Sequence, residues 1–485
     1  MNWWQLRIKV HSSWLIAVAC FGVVVGVIVA PHIAYGWFYS ITWLLLGLLL
    51  FAIGLWRGRR YALPVMLIAG SLLGLWRGSG SQQQLVPYQH LIGYAVTIRA
   101  VVTEDADIGK NGELLLRLGN VVVSNHQLPG HIWASTSTNV DVKRGDVVTL
   151  SGKLTEGFGS FAASLYRGHV KQVQRPQPGD VARQVRDGFA EQVRKAVPEP
   201  QASLGIGYLV GQRRALPLEL SDALRIAGLT HVIVASGYNL TILVRLARRL
   251  FVKVSKYLAA LSASAMIVSF IAVTGMSPSM SRAGLVAGLS LLAWYYGRKF
   301  HPVVLLLLAA AVTLLINPSY GWNDLGWQLS FAAFAGVMIL APLLQRYLFG
   351  DTAPGTVRQI LGETIAAQIA TLPLLIMAFG VFSNVAIIAN LLILPLVPLA
   401  MLLTFITGIG TIVAPATAVV IGVPVTWLLH YMTNTATYLA DQPWAQTIYA
   451  GGPVFAAVYY GLLIGVCLYI AHVTQFQLRE SNIVE

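Results

Sequence analysis

Charge is what this chain has least of. Of its 485 residues 11% are Asp, Glu, Lys or Arg, where soluble domains carry about 25%. Hydrophobic residues make up 56% and the mean hydropathy is +0.67, which excludes an ordinary soluble enzyme. Carboxylates are scarcer still: beyond Asp222 there are only Asp324, Asp351, Glu363, Asp441, Glu480 and Glu485. The two cysteines, Cys20 and Cys467, lie in apolar segments at opposite ends, which argues against a disulfide framework or a thiolate metal site. There is no His-x-His-x-Asp cluster, no phosphate-binding glycine loop with its lysine and no Cys/His metal spacing. The sequence therefore offers no ATPase and no hydrolase metal centre, and no cofactor or metal is expected.

What is present is a series of apolar segments near 14–30, 37–55, 61–76, 230–252, 257–275, 280–297, 302–316, 326–349, 359–379, 385–408, 411–440 and 452–473. A helix needs about 20 apolar residues to span a bilayer, so the expectation is an α-helical polytopic membrane protein of about twelve transmembrane helices. Arg7 and Lys9 precede the first segment, which reads as an uncleaved anchor because more apolar segments follow and no small-x-small site closes it. The net charge of +14 fits cytoplasmic loops under the positive-inside rule, with an anionic substrate as the sharper reading. Arg57-Gly-Arg-Arg60, the cluster from Arg245 to Lys256, Arg298 with Lys299, Arg346 with Arg358, and Arg479 all fall on one side if the helices alternate. That places both termini in the cytoplasm and residues 80–200 outside it. Pro395 and Pro398 interrupt 385–408, and Gly451-Gly-Pro453 opens the last segment; broken helices are tolerated beside neighbours or a water-filled cavity.

The outer region changes character. Short β-branched runs at 91–103, 113–123, 130–135, 145–154 and 168–174 are separated by Gly, Asn, Asp or Pro. Five such strands predict a small extracytoplasmic β-barrel, with the OB-fold as the natural candidate. Nine Lys/Arg against seven Asp/Glu over 85–178 mean that any nucleic-acid face must come from arrangement; Arg99, Lys143, Arg144, Lys153, Arg167 and Lys171 are the candidates. After the Pro/Gly linker 175–180, residues 181–197 read as an amphipathic helix with Val181, Val185, Phe189 and Val193 on one stripe. It suits the membrane interface or packing on the barrel. The expected divisions are 1–79 (three helices), 80–178 (barrel), 179–228 (amphipathic helices), 229–475 (helical core) and 476–485 (tail).

The polar residues of the helical part carry the functional reading, since polar side chains in hydrocarbon are costly unless they meet partners or water. His231, Ser236, Gly237, Tyr238 and Asn239 open one helix; Ser279 and Arg282 open another; Asp324, Gln328 and Ser330 sit at the mouth of a third; Glu363, Gln368 and Asn390 follow. Arg282 also fits an interfacial anchor, Glu363 a cytoplasmic interface residue, and Asn384 and Asn390 hydrogen bonding between packed helices. Val234-Ala-Ser-Gly237 resembles the nucleophile segment of rhomboid-type intramembrane serine proteases. On one helix, however, His231 and Ser236 stand about 140° apart in azimuth, so His231 cannot serve as the base.

Four stretches together resemble the ComEC family of competence proteins: Ala227-Gly-Leu-Thr-His-Val-Ile-Val-Ala-Ser-Gly-Tyr-Asn239, Thr274-Gly-Met-Ser-Pro-Ser-Met-Ser-Arg-Ala283, Asp324-Leu-Gly-Trp-Gln-Leu-Ser-Phe331, and Glu363 to Pro373 with Asn390-Leu-Leu-Ile-Leu-Pro395. The resemblance implies an inner-membrane channel that passes single-stranded DNA in natural transformation, with the polar residues above lining or bracing its pore. It implies single-stranded DNA and membrane lipids as partners, together with a DNA receptor and a cytoplasmic ATP-driven motor. Two departures stand out. Asn239 occupies a position where many members have His, and the chain lacks the metallo-β-lactamase-like domain of many members, so a nuclease would be a separate polypeptide. The rival reading is a secondary transporter of a small anion or lipid.

Overall fold

The computed structural model describes residues 9–33, 36–109, 112–137, 140–212, 216–230, 237–275, 277–298, 301–350, 352, 354–449 and 451–476. The chain divides into two compact units, Met1–Gln177 with Phe300–Phe331, and Pro178–Lys299 with Ala332–Glu485. Most described residues are helical.

In the first unit, helices Ser12–Val29 and Ala62–Gln89 pack through paired glycines. A Cβ on Gly22 or Gly26 would strike the Leu67 or Ser71 carbonyl, and one on Gly70 or Gly74 the Ala19 or Val23 carbonyl. This is the small-xxx-small contact of membrane helices, in which dispersion between close backbones replaces the hydrophobic drive. Helix Pro302–Ile316 joins them. Its orphan C-terminal carbonyls are taken by Arg77, whose Nε donates to Leu315 O at 2.8 Å and Nη2 to Ile316 O at 3.0 Å.

The barrel of this unit is built from β1 (Ala95–Val102), β3 (Leu114–Val123), β5 (Ile132–Thr136), β6 (Val147–Glu156) and β7 (Ala163–Gln174), with β2 (Asp107–Ile108) and β4 (His126–Leu128) flanking β3. The ring runs β1-β6-β7-β5-β3 and closes through β3–β1 pairing; β5 and β7 are parallel, the other neighbours antiparallel. Closure removes exposed edges. Alternate residues point inward: Ile98, Leu116, Leu118, Ile132, Leu150 and Leu165 are fully buried, with Tyr88 from the preceding helix among them. Ser124 and Asn125, both at positive φ, form the two-residue turn between β3 and β4, the geometry a twisted hairpin demands. Strand β7 starts five residues earlier than its sequence suggests, because a register shift accommodates Arg167 at φ 51° and Gly168 instead of ending the strand there.

In the second unit, apolar side chains such as Val413, Val419 and Trp427 are exposed, as befits lipid-facing helices. Among the described residues of the whole chain, eight helices are long and apolar enough to cross a membrane, fewer than the twelve expected: Ser12–His32, Ala62–Gln89, Lys256–Thr274, Leu325–Phe349, Val357–Phe379, Ala386–Val413, Pro415–Ala440 and Pro453–Thr474. Ile41–Arg57 and Pro302–Ile316 are apolar but shorter. Gly237–Phe251 is short and carries Arg245, Arg248 and Arg249, while Pro278–Tyr295 begins with serines and Arg282. The break expected in 385–408 is a 3-10 turn, Leu394–Leu396, between helices Ala386–Ile393 and Val397–Val413, where prolines withhold N–H donors.

Helix Val181–Ala196 differs from the expectation. Phe189 and Val193 pack inward, but so do Arg183 and Arg186, at 4% and 3% exposure, while Val181 and Val185 are exposed. It packs on helices Val397–Val413, Ala418–Ala440 and Lys256–Thr274, with the Phe189 ring over Gly408 and beside Phe405.

Candidate sites in the helical core and on the barrel

In the second unit the start of helix Gly237–Phe251, with Gly237 and Tyr238, lies near two other expected residues, Arg282 and Glu363. Gly237 lies so close to helix Pro278–Tyr295 that a Cβ there would sit 3.3 Å from Arg282 Nη2 and 3.2 Å from the Ala283 Cβ. Ser277 caps that second helix by accepting from Met280 N at 3.3 Å, which fixes the turn that aims Arg282. The Arg282 guanidinium stands 5.3 Å from the Phe334 ring centre, a cation–π distance. Tyr238 is exposed and lies within electrostatic range of Glu363 and Arg245. Glu363 in turn accepts from Gln359 Nε2 at 2.8 Å. The start of helix Gly237–Phe251 thus has a cation on one neighbouring helix, Arg282, and a carboxylate on another, Glu363.

Asn239 is fully buried and its Nδ2 donates to Tyr208 O at 2.9 Å, tying its helix to Gln201–Val210. This bond braces the helix, while Asn239 Oδ1 is buried without a hydrogen-bond partner among the described residues. Asn390 is also buried, with Oδ1 unpartnered among the described residues. Ser279 and Gln368 are half-buried. His231 and Ser236 lie outside the described residues.

Asp324, Gln328 and Ser330 belong to the first unit. Asp324 is the N-cap of helix Leu325–Ala335: its Oδ1 accepts from Trp327 N at 2.7 Å, and its Oδ2 accepts from Ser160 Oγ, in the β6–β7 loop of the barrel, at 2.9 Å. A carboxylate here satisfies an orphan N–H and complements the helix dipole. Trp327 then donates Nε1 to the buried Thr313 Oγ1 at 3.0 Å. The Asp-x-Gly-Trp-Gln pattern is therefore a joint between barrel and helices. Gln328 and Ser330 are half-buried on the same helix.

On the barrel, the predicted cations divide. Arg144 is buried at 5% exposure and Lys143 is half-buried in the β5–β6 turn, its backbone N–H bonded to Asp146 Oδ2; burial corrects Arg144 as a surface contact. Arg99, Lys153, Arg167 and Lys171 are exposed. Arg99 donates to Gln174 Oε1 at 3.1 Å and Lys171 to Thr97 Oγ1 at 3.2 Å, across β1, β6 and β7. Arg167 and His169, with Ser135, Thr136 and Ser137, line a groove of about 240 Å³. The sequence reading missed the aromatic group beside it. Trp133 on β5 stands 5.4 Å from Phe158 and 5.1 Å from Tyr166, and Phe158 is 5.5 Å from Phe161. Phe158 and Tyr166 are exposed by 45% and 54%. Three aromatics within nine residues, 158–166, were the available signal, but only β5–β7 pairing brings Trp133 to them. Arg175 is bound elsewhere: its Nε and Nη2 fork onto the buried Asp146 at 3.0 and 2.9 Å, which raises its pKa above the ordinary arginine value. Among the described residues no three His, Cys, Asp or Glu side chains are grouped to hold a metal.

Membrane-length helices with polar residues on facing helices, together with a closed barrel bearing exposed cations and aromatics, define a polytopic membrane protein with a hydrophilic domain. Residues 208–473, more than half of the chain, match the Competence protein family, and the chain belongs to it. Over 216 residues it is 27% identical to ComE operon protein 3 of Bacillus subtilis (strain 168). That match takes in 43% of this chain and 27% of the relative, so only about a quarter of the relative's length is spanned. No solved structure matches.

Proposed function

We propose that this protein is a channel that carries single-stranded DNA across the cytoplasmic membrane during natural transformation. The observation that carries the reading is the family match over the helical core, within which Tyr238, Arg282 and Glu363 place polar side chains on three helices. Single-stranded DNA is a flexible polyanion with stackable bases, and its path needs polar, cation-bearing surfaces poor in carboxylates. The barrel is read as an OB-fold: five strands in a closed ring with one parallel pair, and a surface of the kind that binds single strands by stacking and charge. Twelve spans, cytoplasmic termini and an extracytoplasmic barrel complete the proposed topology. Membrane lipids, a DNA receptor, a separate nuclease and an ATP-driven motor are the proposed partners, and no chemistry is assigned to the chain itself.

The test is binding of a labelled oligothymidylate by the full-length protein in detergent, across a salt series. Kd should rise steeply with salt, and deletion of the gene should abolish transformation by external DNA. A protein that binds no oligonucleotide at low salt, yet accumulates a small anion in vesicles, is the secondary transporter; the interrupted helix Ala386–Val413 suits that reading too.

A further inference from the structure

The helix Val181–Ala196 buries Arg183 and Arg186 and exposes Val181 and Val185. Arg183, Arg186 and Arg194 stand at spacings of three and eight residues, which an α-helix at about 100° per residue places within about 80° of one another. They run along about 16 Å of the axis. Two have carboxylates at hand. Arg186 Nη2 meets Asp187 Oδ1 at 2.9 Å, and Arg194 Nε meets Glu199 Oε1 at 3.1 Å; Arg194 Nη2 also donates to Gln212 Oε1 at 3.1 Å. Arg183 has none. Its side chain is 4% exposed and its Nε is buried without a hydrogen-bond partner among the described residues. The nearby Asp180 carboxylate is bonded to Arg183's own backbone N–H at 2.9 Å, as the helix cap.

A guanidinium keeps its charge in a protein, and an uncompensated buried charge is strongly destabilising. In a membrane protein, charged side chains facing the helix cluster mark the path of an ion or substrate. We infer that Arg183 is a phosphodiester-binding residue, a deeply buried member of an arginine row that receives successive phosphates of the passing strand, and the one with no carboxylate partner among the described residues. This rests on the DNA-channel reading above. A strand suits the row better than a lipid headgroup does: the cations repeat along the helix axis, whereas a headgroup phosphate is one charge at the lipid-facing surface, where Val181 and Val185 stand instead.

The experiment uses full-length protein in detergent, a fluorescein-labelled oligothymidylate and a salt series, with Arg183→Met and Arg183→Lys beside the wild type. Arg183→Met removes a buried charge and keeps the apolar stem, so its melting temperature should equal or exceed that of the wild type, while its oligonucleotide affinity falls about tenfold. The slope of log Kd against log salt should shrink by about 0.7, the single-strand value for one phosphate contact. Arg183→Lys should lie between. An Arg183→Met protein that binds with wild-type affinity and slope overturns the inference while leaving the channel reading intact. So does one that loses co-purified phospholipid but not DNA. A wild-type protein that binds no oligonucleotide overturns the channel reading itself, and this assignment with it.

Discussion

The barrel and the helical unit both bury apolar side chains, but they treat their arginines and their outer surfaces differently. In the barrel, apolar side chains alternate inward and cations are exposed or paired: Arg117 with Glu104 at 3.0 Å and Asp107 at 3.3 Å, Arg175 with Asp146. In the helical unit, Val413, Val419 and Trp427 face outward while Arg183, Arg186 and Asn239 are inside with the apolar core. Water is the solvent of the first and lipid that of the second, so the same side chain carries a different message in each. A buried arginine in a barrel is a structural tie; a buried arginine among lipid-facing helices points to something polar that passes between them.

This contrast can be broken at four points, in decreasing order of effect. Arg175→Met should strip the counter-ion from Asp146, which is fully buried. The cost is about 3 kcal/mol, the low end for a broken buried pair because Arg175 is itself partly in solvent. Urea unfolding of the full-length protein reads it, and a loss as large from Arg183→Met would erase the contrast. Since Asp146 raises the Arg175 pKa, the stability Arg175 contributes is fully present below the ordinary arginine pKa and is lost only as pH rises through the elevated one. Its contribution to melting should therefore be flat between about pH 6 and 9.

Trp133→Ala should weaken oligonucleotide binding by about 2 kcal/mol, the worth of one stacked base, with little change in the salt slope. Arg167→Gln should instead lower the slope; a Trp133 effect that tracked salt would dismiss the stacking surface. Asn239→Leu should cost about 1–2 kcal/mol by depriving the buried Tyr208 carbonyl of its donor. Asn239→His, the residue of many family members, keeps a ring N–H and should cost less; equal losses would show that the bond is not what matters there. Smallest is Ser160→Ala, which removes one bond to Asp324 and should cost about 1 kcal/mol or below. Amide hydrogen exchange at Trp327 should barely change, because Asp324 Oδ1 still caps it.

Much of this was legible beforehand. Short β-branched runs between Gly, Asn, Asp or Pro marked β1, β3, β5 and β6 closely, because strand composition and turn residues are local signals. Pro395 and Pro398 announced the broken helix for an equally local reason, the missing N–H donors. The helix 181–196 was legible as amphipathic, but which stripe faces inward was not: amphipathicity gives two faces, and the surrounding solvent decides between them. Asp324 was legible as a special carboxylate, yet its role as cap and tie to Ser160 depends on a residue 164 positions away.

The residues alone determined that this is a membrane protein, that a strand-rich insert follows three apolar segments, and that the core carries the competence motifs. Each of these is written in composition, period or short-range order. Tertiary structure alone decided that the barrel closes β3 onto β1, that Arg77 takes the last carbonyls of Pro302–Ile316, that Trp133 joins Phe158 and Tyr166, and that Arg183 lies inside. Those facts join residues far apart in the chain, or depend on which solvent a face meets, and neither is encoded in any window of neighbouring residues.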